Sequence, residues 1–351
     1  MLVTGHTGFM GGWLSLWLAR RGASVLGYAL APPTVPSFYD AVSLKDVLAG
    51  ERIADVRDLA ALTESVRAWR PEVVFHLAAQ PLVRVAHRQP VETFDVNVMG
   101  TVNVLEALRD VDGLKGIVVV TSDKVYDNVE WEWAYRENDR LGGHEPYGVS
   151  KACAELVIEA YRKSYFRERG IGIATVRAGN IIGGGDWAED RLIPDIVRAF
   201  VKRQPVVIRN PSSTRPWQHV MEPVAGYFTL AEGVIADPEN FSGGWNFGPR
   251  GEDHWPVERI VDMCARIWGE GATWQLDGAR NPYEAKRLGV TYAKSEQHLG
   301  WQPILRLDEA LRLSVDWYRA RERGEDMRAK SLANIDSYEA AWRHVTGAAD
   351  A

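Results

Sequence analysis

Cysteine is nearly absent: Cys153 and Cys264 are the only two in 351 residues. Two thiols cannot build a disulfide framework, and free thiols in a chain this long fit a reducing compartment, so the cytoplasm is expected. Long apolar runs are missing as well. Nothing approaches the roughly 18 to 20 residues that a membrane-spanning helix needs, so no membrane partner is expected. Runs of one charge are also lacking. The 41 Lys and Arg stand against 47 Asp and Glu, for a net charge of −6. Without a basic block to neutralise phosphates, nucleic acid is not an expected partner. The eight histidines, His76 and His219 among them, show no ligand spacing, so no metal is expected. Met1-Leu2-Val3-Thr4 runs straight into glycines, with neither the charged nor the apolar stretch of a signal peptide. The first strand is short at its amino end, which trimming of a few residues would explain.

What is present is alternation. Strand-like apolar runs at 1–4, 24–29, 53–54, 73–77, 116–121 and 172–176 alternate with helix-like periodicity. Asp58 can cap a helix carrying Leu62, Val66 and Trp69 on one face, and Pro71 stops it. Further helices are predicted over 91–109 and 147–166. Repeated strand–helix units mean parallel strands joined by right-handed crossovers, hence an α/β fold with a doubly wound parallel sheet. After about Asn180 the pattern breaks into glycines, short strands and loops, with helices returning over 221–234, 257–268 and 307–321. The predicted division is a dinucleotide-binding domain over 1–180 and a smaller mixed α/β substrate lobe over 181–351. Residues 221–248 are expected to rejoin the sheet domain. The tail beyond Asn334 is expected to fray.

Gly5-His6-Thr7-Gly8-Phe9-Met10-Gly11 follows the first strand and leads into an amphipathic helix. Glycines there permit a tight turn and let backbone N–H groups reach a pyrophosphate at the positive helix end. This is a Rossmann-type fingerprint with G-x-x-G-x-x-G spacing, so a nicotinamide dinucleotide is the expected cofactor. Gly5, Thr7, Gly8, Phe9, Met10 and Gly11 are its candidate contacts, joined by Leu77, Ala78 and Ala79 after the fourth strand. The second strand, Val25-Leu26-Gly27-Tyr28-Ala29-Leu30, ends in neither an acid for a ribose nor an arginine for a 2′-phosphate. NAD is expected, with NADP left open. Asp55 could hold the adenine edge or serve as a helix-capping acid.

Tyr147 and Lys151 lie four residues apart and would share a helix face. A free phenol, with a pKa of about 10, is a poor base, and a nearby cation favours its ionised form. The pair could take a hydroxyl proton while a hydride leaves for a nicotinamide. Ser122, Asp123 and Lys124 follow the fifth strand, where parallel sheets place ligands. Ser122 can hydrogen-bond the reacting oxygen. Asp123 and Lys124 add an acid and a base that simple alcohol oxidation does not need.

These residues resemble the extended short-chain dehydrogenases that act on nucleotide sugars, and more closely the CDP-glucose 4,6-dehydratases among them. The resemblance runs almost end to end. Its most specific stretches are Gly179-Asn180-Ile181-Ile182-Gly183-Gly184-Gly185-Asp186-Trp187, Asp190-Arg191-Leu192-Ile193-Pro194 and Arg215-Pro216-Trp217-Gln218-His219-Val220. It implies conversion of CDP-glucose to CDP-4-keto-6-deoxyglucose. Tyr147 would take the C4 hydroxyl proton as hydride passes to NAD. Lys124 would remove the C5 proton, where dTDP-glucose relatives carry glutamate, and would need its pKa lowered by burial or neighbouring cations. Asp123 would protonate the departing C6 hydroxyl, and hydride would return to C6. The resemblance also implies cofactor contacts from Asn97 and Thr121, and a nucleotide-sugar site from Gln80, Arg84, Asn180, Arg191, Arg209, Arg215 and His219. It implies a homodimer or homotetramer paired through 91–109 and 147–166. Met10 departs from the lysine usual in close relatives, removing a charge beside the pyrophosphate. Other readings are a dehydratase of a GDP-, dTDP- or UDP-linked hexose, or a 4-epimerase. Epimerases of this fold carry small neutral residues where Asp123 and Lys124 stand.

Overall fold

The computed structural model describes residues 1–277 and 287–346. Its centre is a seven-stranded parallel sheet. The strands are β1 (Leu2–Thr4), β2 (Leu26–Ala29), β3 (Gly50–Ile53), β4 (Val73–His76), β5 (Gly116–Val120), β6 (Gly172–Ala178) and β10 (Gly243–Phe247), in spatial order β10-β6-β5-β4-β1-β2-β3. The order reverses direction between β1 and β4, which opens a crevice at the carboxyl ends of the strands.

Neighbouring residues on a strand point to opposite faces, and the core follows that alternation. Leu2, Val74, Ile117 and Ile173 pack with Leu62, Val104, Leu105 and Ile158 on one side. Val3, Phe75, Val118 and Val176 pack with Trp13, Trp17, Val224 and Phe228 on the other. Helices Leu59–Trp69, Gly100–Leu108 and Pro146–Tyr161 therefore cover one face, and Phe9–Arg20 and Met221–Ala236 the other. The second core continues into Trp317 and Tyr338 of the late helices Leu307–Glu322 and Met327–Thr346. Trp13, Trp17, Trp245, Trp301 and Trp317 are wholly buried, so these tryptophans serve packing.

The remaining strands are short. β7 (Asn180–Ile182), β9 (Thr214–His219) and β11 (His254–Pro256) form one small mixed sheet, and β8 (Val206–Ile208) pairs with β12 (Trp274–Leu276). Several elements differ from expectation. β3 begins three residues before Ile53. The stretch 91–109 is helical but contains a wide π turn, Asp95–Met99, between Pro90–Phe94 and Gly100–Leu108. Beyond Asn334 the helix runs on to Thr346, anchored by buried Ile335 and Tyr338, and 347–351 lie outside the described residues.

Candidate active site

The glycine loop leaves β1 in a conformation that only glycine tolerates at two points. Gly5 has φ of +78°, and a Cβ there would lie 2.7 Å from the Ala78 nitrogen. A Cβ on Gly11 would lie 2.1 Å from the Gly5 oxygen. The loop is thus folded onto itself and against the end of β4. Thr7 Oγ1 donates to the Leu30 carbonyl at 2.8 Å, tying the loop to the end of β2. Thr4 Oγ1 accepts from the Leu77 and Ala78 N–H groups and pairs with His76 Nδ1. The helix that follows begins at Phe9 with Gly8 as its cap residue, no capping side chain and no acid in the first turn. Its leading N–H groups and positive end are left for an anion, which fits a dinucleotide pyrophosphate. Met10 is half-buried against the core.

Asp55 is not the cap of the next helix. Asp58 does that, accepting from the Ala61 N–H at 3.0 Å. Asp55 instead accepts from Arg57 through Nε, Nη2 and the backbone N–H. These bonds hold its carboxyl below the usual range.

The chemical groups meet where β5 ends. Ser122 caps a single 3₁₀ turn, Asp123–Val125, accepting from the Lys124 N–H at 3.2 Å and donating to Asp123 Oδ1 at 3.1 Å. Ser122 and Asp123 are buried, and burial pushes the Asp123 carboxyl up, against opposing charges from Lys124 and Arg215. Lys124 is exposed, so burial is not what would prepare it as a base. The helix Pro146–Tyr161 packs directly on this turn. A Cβ on Gly148 would fall 2.7 Å from the Lys124 oxygen. Glu145 caps the helix, accepting from the Tyr147 and Gly148 N–H groups.

Tyr147 and Lys151 are both buried one turn apart on that helix. Burial pushes the phenol up to about 12, while a hydrogen bond with Ser122 and the charge of Arg191 pull it back. Burial drives Lys151 down to about 8, and its Nζ donates to the Val120 carbonyl at 3.1 Å. Asn97 lies inside the π turn, where its amide bridges the Gln80 backbone and donates to Ser150 Oγ. Such turns recur at functional sites because they redirect one side chain inward. Thr121 donates to Glu155 Oε1.

The residues expected at the sugar nucleotide divide into groups. Arg191 and Arg215 act electrostatically on this group: the charge of Arg191 lowers the Tyr147 phenol and that of Arg215 the Asp123 carboxyl. Arg84 and Arg209 meet elsewhere, both on Asp190 Oδ1. Asn180 opens β7, half-buried. Gln80 spends its amide locally, on Leu82 and Thr93. His219 is buried edge-on to Trp13, and burial pushes its ring down to about 3.

Sequence reading passed over three residues that organise this site. Glu155 and Arg177 form a buried pair at 2.8 Å beneath Lys151. Glu155 follows Lys151 at the same four-residue spacing that links Tyr147 to Lys151, so periodicity held a signal for it. Asp190, between Arg84 and Arg209, stands in one of the stretches that carry the family resemblance, but its own spacing assigned it no role.

The family described as GDP-mannose 4,6 dehydratase matches residues 2–313. The CDP-glucose 4,6-dehydratase of Salmonella typhimurium is 52% identical over 343 residues, 96% of this chain and 95% of that protein. A dTDP-glucose 4,6-dehydratase of Xanthomonas campestris pv. campestris is 26% identical over 344 residues, covering 90% of this chain and 92% of its own. Among solved structures, the UDP-glucose 4-epimerase of Thermus thermophilus, in complex with NAD, superimposes with a TM-score of 0.77 at 25% identity, covering 91% of this chain and 98% of that one. The UDP-glucose 4-epimerase of Thermotoga maritima shares the fold, with a TM-score of 0.79 at 22% identity, covering 92% and 99%.

Proposed function

Because the chain belongs to the GDP-mannose 4,6 dehydratase family, we propose that it is the hydro-lyase that turns CDP-glucose into CDP-4-keto-6-deoxyglucose, with NAD as its cofactor. The observation that carries this reading is Asp123, a buried carboxyl pushed toward its protonated form beside Ser122 and next to the exposed Lys124. A 4-epimerase would need no such acid. CDP-glucose is favoured over other hexoses by the relative at 52% identity.

Gly5, Thr7, Gly8, Phe9, Met10 and Gly11 would hold the cofactor with Leu77, Ala78, Ala79, Asn97 and Thr121, and Asp55 at the adenine edge. When bound, NAD supplies the acceptor and donor of one hydride. Tyr147 takes the proton of the C4 hydroxyl, which Ser122 orients. Lys151 supplies the cation that makes a buried phenol usable as a base. Once C4 is a ketone the C5 proton is acidic, and Lys124 removes it. Asp123 gives its proton to the departing C6 hydroxyl, so water leaves; C6 then regains the hydride taken from C4 and C5 a proton, which completes the 4-keto-6-deoxy product. Arg191, Arg209 and Arg215, with Asn180 and Arg84, bind the nucleotide diphosphate beside these groups, and Gln80 and His219 shape the walls of the site.

We divide the chain into a dinucleotide-binding part, 1–180 with 221–248, and a sugar-nucleotide lobe from the rest of 181–351. The position of β10 on the edge of the main sheet supports this. We assign the enzyme to the cytoplasm, on its free thiols Cys153 and Cys264. We also infer a homodimer, or a tetramer built from dimers, through the faces that expose Val91, Met99, Leu156 and Tyr165.

Incubation with CDP-glucose in deuterated water should yield a 4-keto-6-deoxy sugar nucleotide carrying deuterium at C5. A product without that label rules out elimination. Faster turnover of a dTDP-, GDP- or UDP-hexose would reassign the nucleotide and leave the chemistry standing.

A further inference from the structure

We propose that Asp190 is a resident anion: it holds Arg84 and Arg209 where the substrate's diphosphate will lie, and releases both arginines when that diphosphate arrives. This rests on the reading of the site as one for a nucleoside diphosphate sugar.

The two arginines come from different parts of the chain. Arg84 lies on the short helix Val83–Arg88 after β4, and Arg209 immediately follows β8. Both donate to the same oxygen, Asp190 Oδ1, at 2.9 and 3.0 Å. One carboxylate oxygen shared by two guanidiniums leaves most of their donors uncommitted to it and a surplus of positive charge. A diphosphate offers more oxygens and more charge, and can engage both forks. All three side chains keep about a third of their surface in water, at 38%, 31% and 29% for Arg84, Asp190 and Arg209. Ion pairs that wet hold little energy and exchange at little cost.

The loop carrying Asp190 can let go without unravelling. Asp186 is fixed by Arg191 at 2.9 Å, by the Ala188 N–H and by the Tyr318 hydroxyl on its carbonyl. Arg198 donates to the carbonyls of Trp187 and Ala188. The base of the loop is thus pinned, and the clasp acts at its tip. Asp190 sits there with φ of +60°, a left-handed backbone that Asp and Asn tolerate better than most residues. The next residue is Arg191, whose charge reaches Tyr147. The clasp therefore adjoins, through Arg191, the residues grouped around Tyr147.

The test is equilibrium binding of CDP, and separately of inorganic pyrophosphate, to the full chain by calorimetry. Asp190→Asn keeps the backbone preference and removes the charge. It should tighten both ligands about three- to tenfold. Glu189→Gln makes the same change in net charge one residue away and should not reproduce that gain. In the Arg84→Ala/Arg209→Ala double background the gain from Asp190→Asn should vanish, and in either single background it should shrink. Arg84→Lys and Arg209→Lys cover the case in which truncation unfolds the chain, and should shrink the gain. Equal binding by wild type and Asp190→Asn overturns the clasp, as does an equal gain from Glu189→Gln or one that survives loss of both arginines. If the clasp appears with pyrophosphate while CDP-glucose is not turned over, the nucleotide-sugar reading fails and the clasp stands.

Discussion

In the proposed mechanism, Lys124 is the residue that separates elimination from simple oxidation. Tyr147 and Lys151 can serve any oxidation of a sugar hydroxyl, but only a base at C5 makes elimination follow. Lys124→Met should therefore stop water loss and leave the first oxidation intact. The expected result is dehydratase turnover down about 10²- to 10⁴-fold, with CDP-glucose still raising absorbance at 340 nm. Retained turnover would remove Lys124 from the chemistry. Met10 raises a different question. It occupies the second position of a helix whose amino end carries no acid and no capping side chain. A lysine there would add a charge facing a pyrophosphate, and Met10→Lys should tighten NAD about two- to fivefold, measured by fluorescence titration. No change would mean that the side chain points away from the phosphates. At this scale the sequence was legible wherever chemistry is local. Ser122-Asp123-Lys124 and Tyr147…Lys151 lie within single elements, so spacing exposed them. Asp190 meets Arg84 across 106 residues, and Glu155 meets Arg177 across 22, and no local pattern records such meetings.

Elements were legible where hydrophobic periodicity was strong. β1, β4, β5 and β6 emerge close to their predicted places because alternate residues must face two separate helical layers. The π turn at Asp95–Met99 was hidden, since one extra residue inside a helix leaves little trace in apolar spacing. Close approach between elements was hidden too. Gly148 appears in sequence only as the residue after Tyr147, yet it is where the catalytic helix touches the Lys124 carbonyl. Gly148→Ala would put a methyl group 2.7 Å from that oxygen, and both contacts are backbone-determined, so the turn must retreat. We expect about 1–3 kcal/mol of destabilisation by urea unfolding and a fall in kcat larger than the change in KM. An alanine variant with wild-type kcat would show that the turn and helix can separate without harm to the chemistry.

Across the whole molecule, the lobe and the sheet share one core, and a carboxyl is buried inside it. Glu222 opens the helix Met221–Ala236 and accepts from the Ile304 and Leu305 N–H groups and the Tyr338 hydroxyl. It thereby ties that helix to two segments from the end of the chain. Burial outweighs those bonds and pushes its pKa up from 4.5 to about 7. The native state thus binds this proton over a pH range in which the unfolded chain has released it. Stability from this group is fully present below about pH 4.5 and is lost as pH rises through about 7. The span corresponds to a loss of roughly 3 kcal/mol at most. Glu222→Gln keeps an oxygen for the two backbone donors and offers Tyr338 an amide, with no charge to bury. The variant should match the wild type at pH 5 and exceed it at pH 8 in urea midpoint. Parallel stability curves for the two proteins across that range would show that Glu222 stays ionised in the fold, its three hydrogen bonds having compensated for burial after all.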